Sequence, residues 1–249
     1  MWKISLSIII LYLSLIYACQ LENANGETGE SDNNYDILIL SQEWPVTICK
    51  YWIYDLNRTG CHFPDQKNRW TIHGIWPAKF NAEYNFCNTS WEFDPEEIKS
   101  IEDDLLQAWT PTYDEPDPYA FWRHEWLKHG SCATDLESFN SQFKYFSKGI
   151  ELNKKYPISD MLEAANLFPD DSKEYDPEVF VNAVKATTGK TAQAGCYKIE
   201  GVVYLQELRI CFDKQLNMID CRSPAVSDHC GSSVIFPADV VCQANTGTC

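Results

Sequence analysis

From residue 35 onward, apolar and polar positions recur at regular spacings. Residues 35–41 form a nearly unbroken apolar run through Tyr35, Ile37, Leu38, Ile39 and Leu40, which predicts a buried strand. Residues 70–75 are β-branched and aromatic and close on Trp76-Pro77, which predicts a second strand. Asp94-Pro95-Glu96-Glu97 places a capping side chain, a proline at the first helical position and early acids in sequence. That order predicts a helix running to about Trp109. A proline-rich loop covers 110–118, and 119–129 reads as a helix that Gly130 closes in a left-handed cap. Phe139, Phe143, Phe146 and Ile150, at spacings of three and four, predict an amphipathic helix over 137–156. Two short helices follow near 159–166 and 177–187. From Val202 the chain reads as strands, the first carrying Val203, Leu205, Leu208, Ile210 and Phe212.

No internal repeat or shift in composition divides this pattern. The expected fold is a single α+β domain over 35–249, with a central, mainly antiparallel sheet packed by helices. The start of the chain is different. Lys3 precedes an apolar stretch from Ile4 to Ala18, too short for a confident membrane span and followed by polar sequence from Gln20. It predicts a signal peptide over 1–18, cleaved near Ala18, and a disordered leader over 19–34. No later stretch is apolar for long enough to cross a bilayer, so no membrane association is expected after cleavage.

Export gives meaning to the 11 cysteines. With Cys19 at the cleavage site, an even number remains, which reads as a disulfide framework. No C-x-x-C pair occurs, so zinc ribbons and redox motifs lack support. Asn57-Arg58-Thr59 and Asn88-Thr89-Ser90 are glycosylation sequons, in keeping with a secreted, loop-rich protein.

Charge sets a condition on any nucleic-acid function. The formal net charge is −16, and losing Lys3 with the signal makes it one unit more negative. Stable polyphosphate binding normally needs a basic face. An RNA substrate would therefore be held locally, by a few cations at one phosphate and by bases stacked on aromatic rings. The aromatic share of 14% supplies such rings.

Three of the 5 histidines fall in two aromatic-rich segments, Trp70-Thr71-Ile72-His73-Gly74-Ile75-Trp76-Pro77 and Phe121-Trp122-Arg123-His124-Glu125-Trp126-Leu127-Lys128-His129-Gly130. On a helix, His124 shares a face with Lys128, and Glu125 shares one with His129. Two imidazoles, a carboxylate and an ammonium on one patch suit charge developing on a phosphate oxygen. A zinc site of the His-Glu-x-x-His type is excluded by the extra residue, which turns the two rings about 140° apart. The plain alternative is a set of satisfied surface histidines, which three rings with Glu and Lys among aromatics make the weaker reading.

These segments resemble the two active-site segments of the ribonuclease T2 family, His-Gly-Leu-Trp-Pro and His-Glu-Trp-x-Lys-His-Gly. Only Ile75 departs from the pattern, apolar for apolar. Gln42-x-Trp44-Pro45 and Cys132 fit the family as well, and the likeness is good over about 35–134. The resemblance implies metal-free cleavage of single-stranded RNA by a monomeric, cofactor-free enzyme that leaves 2′,3′-cyclic phosphate ends and does not cut DNA. By motif position His129 would be the general base and His73 the general acid; His124 would bind phosphate, and Glu125 with Lys128 would stabilise the phosphorane. Trp76, Phe121 and Gln42 would contact substrate. Trp44, Trp70, Trp122 and Trp126 read as core. The family's bridges imply Cys49–Cys61, Cys87–Cys132, Cys196–Cys242 and Cys211–Cys221, which leaves Cys230–Cys249. Acidic surroundings should hold the histidines' pKa values up and favour mildly acidic pH. A secreted glycoprotein that signals to other cells through the same fold is the alternative.

Overall fold

A computed structural model describes residues 34–80, 84–222 and 224–240. The expected signal peptide, all of the expected leader but its last residue, and Cys242 and Cys249 lie outside the described residues.

Among the described residues the sheet has 7 strands. Strands β1 (Ile37–Glu43), β2 (Thr71–Ala78), β3 (Asp170–Tyr175), β4 (Gln193–Ile199), β5 (Val202–Phe212), β6 (Met218–Ile219) and β7 (Val234–Phe236) are ordered β2-β1-β5-β7-β3, with β4 and β6 also on β5. All pairings are antiparallel except β5 with β7. The expected mixed α+β architecture, with a mainly antiparallel sheet, is what forms.

Every residue of β1 is buried, as an unbroken apolar run demands when both faces are covered. Its polar end, Ser41-Gln42-Glu43, is buried equally, so each of these side chains needs a partner inside the protein. Gln42 donates from Nε2 to the Tyr156 carbonyl at 2.7 Å and accepts the Ile158 N–H at 3.4 Å. This corrects its reading as a substrate contact: both ends of the carboxamide are occupied in joining β1 to the helices beside it.

Helix α1 (Pro45–Lys50) runs on as a wider turn over Tyr51–Asp55 and carried no periodic signal. The helix expected at 94–109 forms as a 3-10 segment, Pro95–Ile101, followed by α2 (Glu102–Ala108). Asp94 caps it by accepting the Glu96 N–H at 3.0 Å. Helix α3 (Ala120–Lys128) passes into a 3-10 turn at Gly130–Cys132. Gly130 is therefore no left-handed cap. It is there for close approach, since a Cβ would stand 2.5 Å from the Trp126 ring.

The expected phenylalanine stripe is also revised. A separate 3-10 turn holds Phe139, and α4 (Gln142–Lys155) starts afresh behind the Ser141 cap. Phe139, Phe146 and Ile150 are buried as the stripe predicts, whereas Phe143 is exposed and Tyr145 enters the core instead. Helices α5 (Ile158–Ala164) and α6 (Glu178–Thr188) complete the set. Trp44, Trp70, Trp122 and Trp126 are buried as expected. Among the described residues no helix is long and apolar enough to cross a membrane.

Three expected disulfides form, Cys49–Cys61, Cys87–Cys132 and Cys211–Cys221. The expected Cys196–Cys242 is replaced by Cys196–Cys230, with a Cα–Cα distance of 5.0 Å. This also rules out Cys230–Cys249. The reason lies beside β4: the Ala194 N–H bonds to the Ala225 carbonyl and the Ser227 N–H to the Ala194 carbonyl. The returning chain is thus laid along β4, and the turn Asp228–Cys230 arrives against Cys196. The link spans 34 residues. Replacing Cys196 and Cys230 together with serine should cost about 3–4 kcal/mol of stability in urea unfolding. Peptide mapping of the native protein should recover the 196–230 cross-link, and a 196–242 link would overturn the assignment.

Candidate active site

His73 owes its position to an irregularity in an edge strand. Across β1 and β2, Gln42 faces Ile72 and Ser41 faces Gly74, so His73 is the extra residue of a bulge. Bulges re-aim side chains and are frequent beside active sites. The outer edge of β2 is held by side chains of the helices. The Trp109 indole donates to the His73 carbonyl at 2.8 Å, and the Tyr145 hydroxyl donates to the Ile75 carbonyl at 3.0 Å. Trp122 in turn donates to the Trp109 carbonyl at 2.8 Å, which ties the bulge to α3.

Helix α3 supplies the other groups. Its buried face carries Trp122, Glu125 and Trp126, while His124 is exposed. Glu125 is pinned: the Trp76 indole donates to its Oε2 at 3.0 Å, and its Oε1 lies 3.9 Å from His73 Nε2. His129 follows the helix, with its N–H bonded to the Glu125 carbonyl at 3.0 Å. The Trp76 ring packs against both histidines, its centroid 5.0 Å from His73 and 5.3 Å from His129. Gly74 makes this packing possible. A Cβ there would lie 2.1 Å from both Glu125 Oε2 and Trp76 Nε1. The Cys87–Cys132 bridge fastens the end of α3 to the loop beyond β2.

The two histidines are biased in opposite directions. Burial works against charge on His73, but Glu43, Glu207 and Glu125 outweigh it and lift the pKa to about 9. Burial, then Lys128, His73 and His124, push His129 down to about 2, and its buried Nδ1 has no protein partner. His124 is lowered by burial and then by Lys128. The expectation that acidic surroundings raise these values therefore holds for His73 alone, because the carboxylates gather on its side and Lys128 on the other. Burial raises Glu125 to about 7 despite His73 and the Trp76 indole.

A cleft of about 790 Å³ opens beside these groups, lined by His73, Phe121, His124, Glu125 and Tyr113 among others. The structure thus brings His73, His124, Glu125 and His129 together with Trp76 and Phe121. Among the described residues no cluster of His, Cys, Asp or Glu is arranged to hold a metal.

Three charged residues at the site escaped the sequence reading: Glu43, Glu207 and Arg209. His73 Nδ1 is 3.5 Å from Glu43 and 3.3 Å from Glu207, and Arg209 pairs with Glu207. Their signal was available in part, as charges set inside otherwise apolar strands.

The Ribonuclease T2 family model matches residues 35–221. Ribonuclease Oy of Magallana gigas is 32% identical over 200 residues, covering 78% of this chain and 91% of its own. Ribonuclease T2 of Sus scrofa is 32% identical over 205 residues, covering 80% and 96%. The crystal structure of human RNase T2 superposes with a TM-score of 0.68 at 29% identity, over 82% of this chain and 98% of that one. RNase NT in complex with 5′-AMP gives a TM-score of 0.67 at 26% identity, over 82% and 98%. With its two histidine segments joined at one cleft, the chain belongs to the ribonuclease T2 family of endoribonucleases.

Proposed function

We propose that the enzyme cleaves single-stranded RNA by transphosphorylation, with His129 as base and His73 as acid. The observation that carries this is the opposite bias of two imidazoles that both pack against Trp76. His129 is neutral and free to accept the proton of the 2′-hydroxyl. The 2′-oxygen then bonds to phosphorus, the bond to the 5′-oxygen breaks, and His73 gives its proton to that leaving oxygen. The product carries a 2′,3′-cyclic phosphate, and DNA is spared because it lacks the nucleophile. No step calls for a cofactor.

Glu125, with its pKa raised to about 7, is protonated on the acid side of neutrality. In that form it can donate a hydrogen bond to a non-bridging phosphate oxygen, and Lys128 adds a cation. His124, exposed at the cleft, is placed to contact the phosphate. Phe121 lines the same cleft and offers a face for a base, and the part of Trp76 left exposed offers another. The 5′-AMP complex of RNase NT supports nucleotide binding by this fold. Export as a monomeric glycoprotein fits the disulfides, with Asn57 exposed and Asn88 on a surface turn.

Purified protein in excess chelator should cleave single-stranded RNA, and end-group analysis should show cyclic phosphates. His129→Ala and His73→Phe should each lose about 10³-fold or more in kcat, the scale of a positioned acid or base together with its binding role. A folded wild type that leaves RNA intact would remove the proposal.

The sign of the pH dependence follows from Glu125 and Glu43, both raised to about 7. Below that value both are neutral and His73 is charged, and above it two carboxylates face the phosphate. The kcat/KM profile should therefore peak on the acid side and fall as pH rises through neutrality; an alkaline optimum is the contrary result.

Gly74→Ala should displace Glu125 and the Trp76 indole, lowering kcat by about 10²-fold, the cost of roughly ångström-scale misplacement. Circular dichroism should still show a folded chain.

A further inference from the structure

Two carboxylates outside both histidine segments approach the imidazole of His73. Glu43 and Glu207 are direct cross-strand partners in the β1–β5 register, as Ser41 is of Arg209. Both are buried. Like charges directly opposite each other repel, and burial without a partner is costly. The structure resolves this by placing His73 Nδ1 against both, 3.3 Å from Glu207 Oε2 and 3.5 Å from Glu43 Oε2.

Glu207 is the more firmly held of the two. Ser41 donates its hydroxyl to Glu207 Oε2 at 2.6 Å, and Arg209 donates to Oε1. A second bulge stands beside it: Gly195 faces Glu207 and Cys196 faces Leu205, which leaves Gln206 over. Gly195 also provides the room, since a Cβ would sit 2.8 Å from Glu207 Cγ. So a bulge adjoins both members of the pair, and a glycine faces the carboxylate.

We propose that Glu207, assisted by Glu43, is a positioning residue for His73, fixing its ring and keeping the hydrogen on Nδ1 so that Nε2–H faces the cleft. This rests on the reading of His73 as the acid. An ionised carboxylate only accepts, so the nitrogen against Glu207 must carry the hydrogen. The other nitrogen, on the Glu125 side, is then the one that meets substrate.

The charges around the ring agree. From β1 comes Glu43, from β5 come Glu207 and Arg209, and from α3 come Glu125, His124 and Lys128, with His129 just after it. Tyr113 and Tyr197 are near Glu43, and burial keeps their phenols neutral. Burial alone would raise Glu207, yet His73, Arg209 and Ser41 hold it down at about 2. Glu207 is therefore ionised wherever the enzyme works. Glu43, raised to about 7 by burial first and by Glu207 and Glu125 next, adds its charge from neutrality upward.

The test is a ring-nitrogen NMR titration of the histidines in wild type, Glu207→Gln and Glu43→Gln, beside kcat/KM profiles on single-stranded RNA. In wild type, Nδ1 of His73 should stay protonated throughout. Glu207→Gln should lower the His73 pKa by about 1–3 units, the effect of one adjacent opposite charge. Once the His73 pKa is brought below the carboxylates' value of about 7, the alkaline limb should move to lower pH with it, while the acid plateau stays within about threefold, since the ring is still charged there. Glu43→Gln should lower the His73 pKa as well, since Glu43 is among the charges that raise it. If Glu207→Gln does not fold, Gly195→Ala, which crowds Glu207 without removing its charge, should lower the same pKa. An unmoved His73 pKa, or equal loss of activity at every pH, overturns the proposal. The titration needs no cleavage, so a wild type inert toward RNA would sink the acid role and still leave the clamp measurable.

Discussion

Three buried carboxylates converge on His73, at 3.3 Å for Glu207, 3.5 Å for Glu43 and 3.9 Å for Glu125. Removing one ion from water costs several kcal/mol unless partners replace the solvent, so such a group can exist only where every neighbour is fixed. That requirement accounts for much of the surrounding structure. Trp109 and Tyr145 hold the edge strand, Trp76 holds Glu125, and Ser41 with Arg209 holds Glu207. Gly74 and Gly195 leave the space these side chains fill.

The same cluster explains how a chain with a net charge of −16 can act on a polyanion. Overall charge governs long-range attraction, but the sign that matters for chemistry is local. On the acid side of neutrality Glu43 and Glu125 are uncharged, so His73 and Arg209 are opposed by Glu207 alone, with Lys128 nearby. The site is then a small positive spot in an acidic surface. Ionising Glu43 and Glu125 reverses that. Under the proposed function, such a site holds one phosphate through local charge and without long-range attraction from the chain as a whole.

The groups that could be read from sequence lie close together along the chain. His124, Glu125, Lys128 and His129 share one helical segment, and helical spacing alone places them side by side. His73 was legible through its segment, though not its bulge. Glu207 was not, since it reaches His73 across 134 residues through a sheet register that two bulges displace. The Cys230 pairing failed for the same kind of reason: it depends on how the returning chain lies along β4. The continuity of the helix expected over 137–156 failed on a local one, the Ser141 cap that restarts it after Phe139.

These contacts fix the spacing of the first histidine segment. The carboxylates around His73 keep its ring charged, and Gly74 clears space for the Glu125 carboxylate. Ile75 is buried in the core, its backbone carbonyl bonded to Tyr145. Trp76, one residue further along a pleated strand, returns its indole to Glu125 and its ring to both histidines. Shifting any of these by one residue would turn its side chain to the opposite face of the sheet. The segment is therefore constrained at every position by packing and by proton placement together, which is why residue identity there carried the active site while the carboxylates on β1 and β5 had to await the fold.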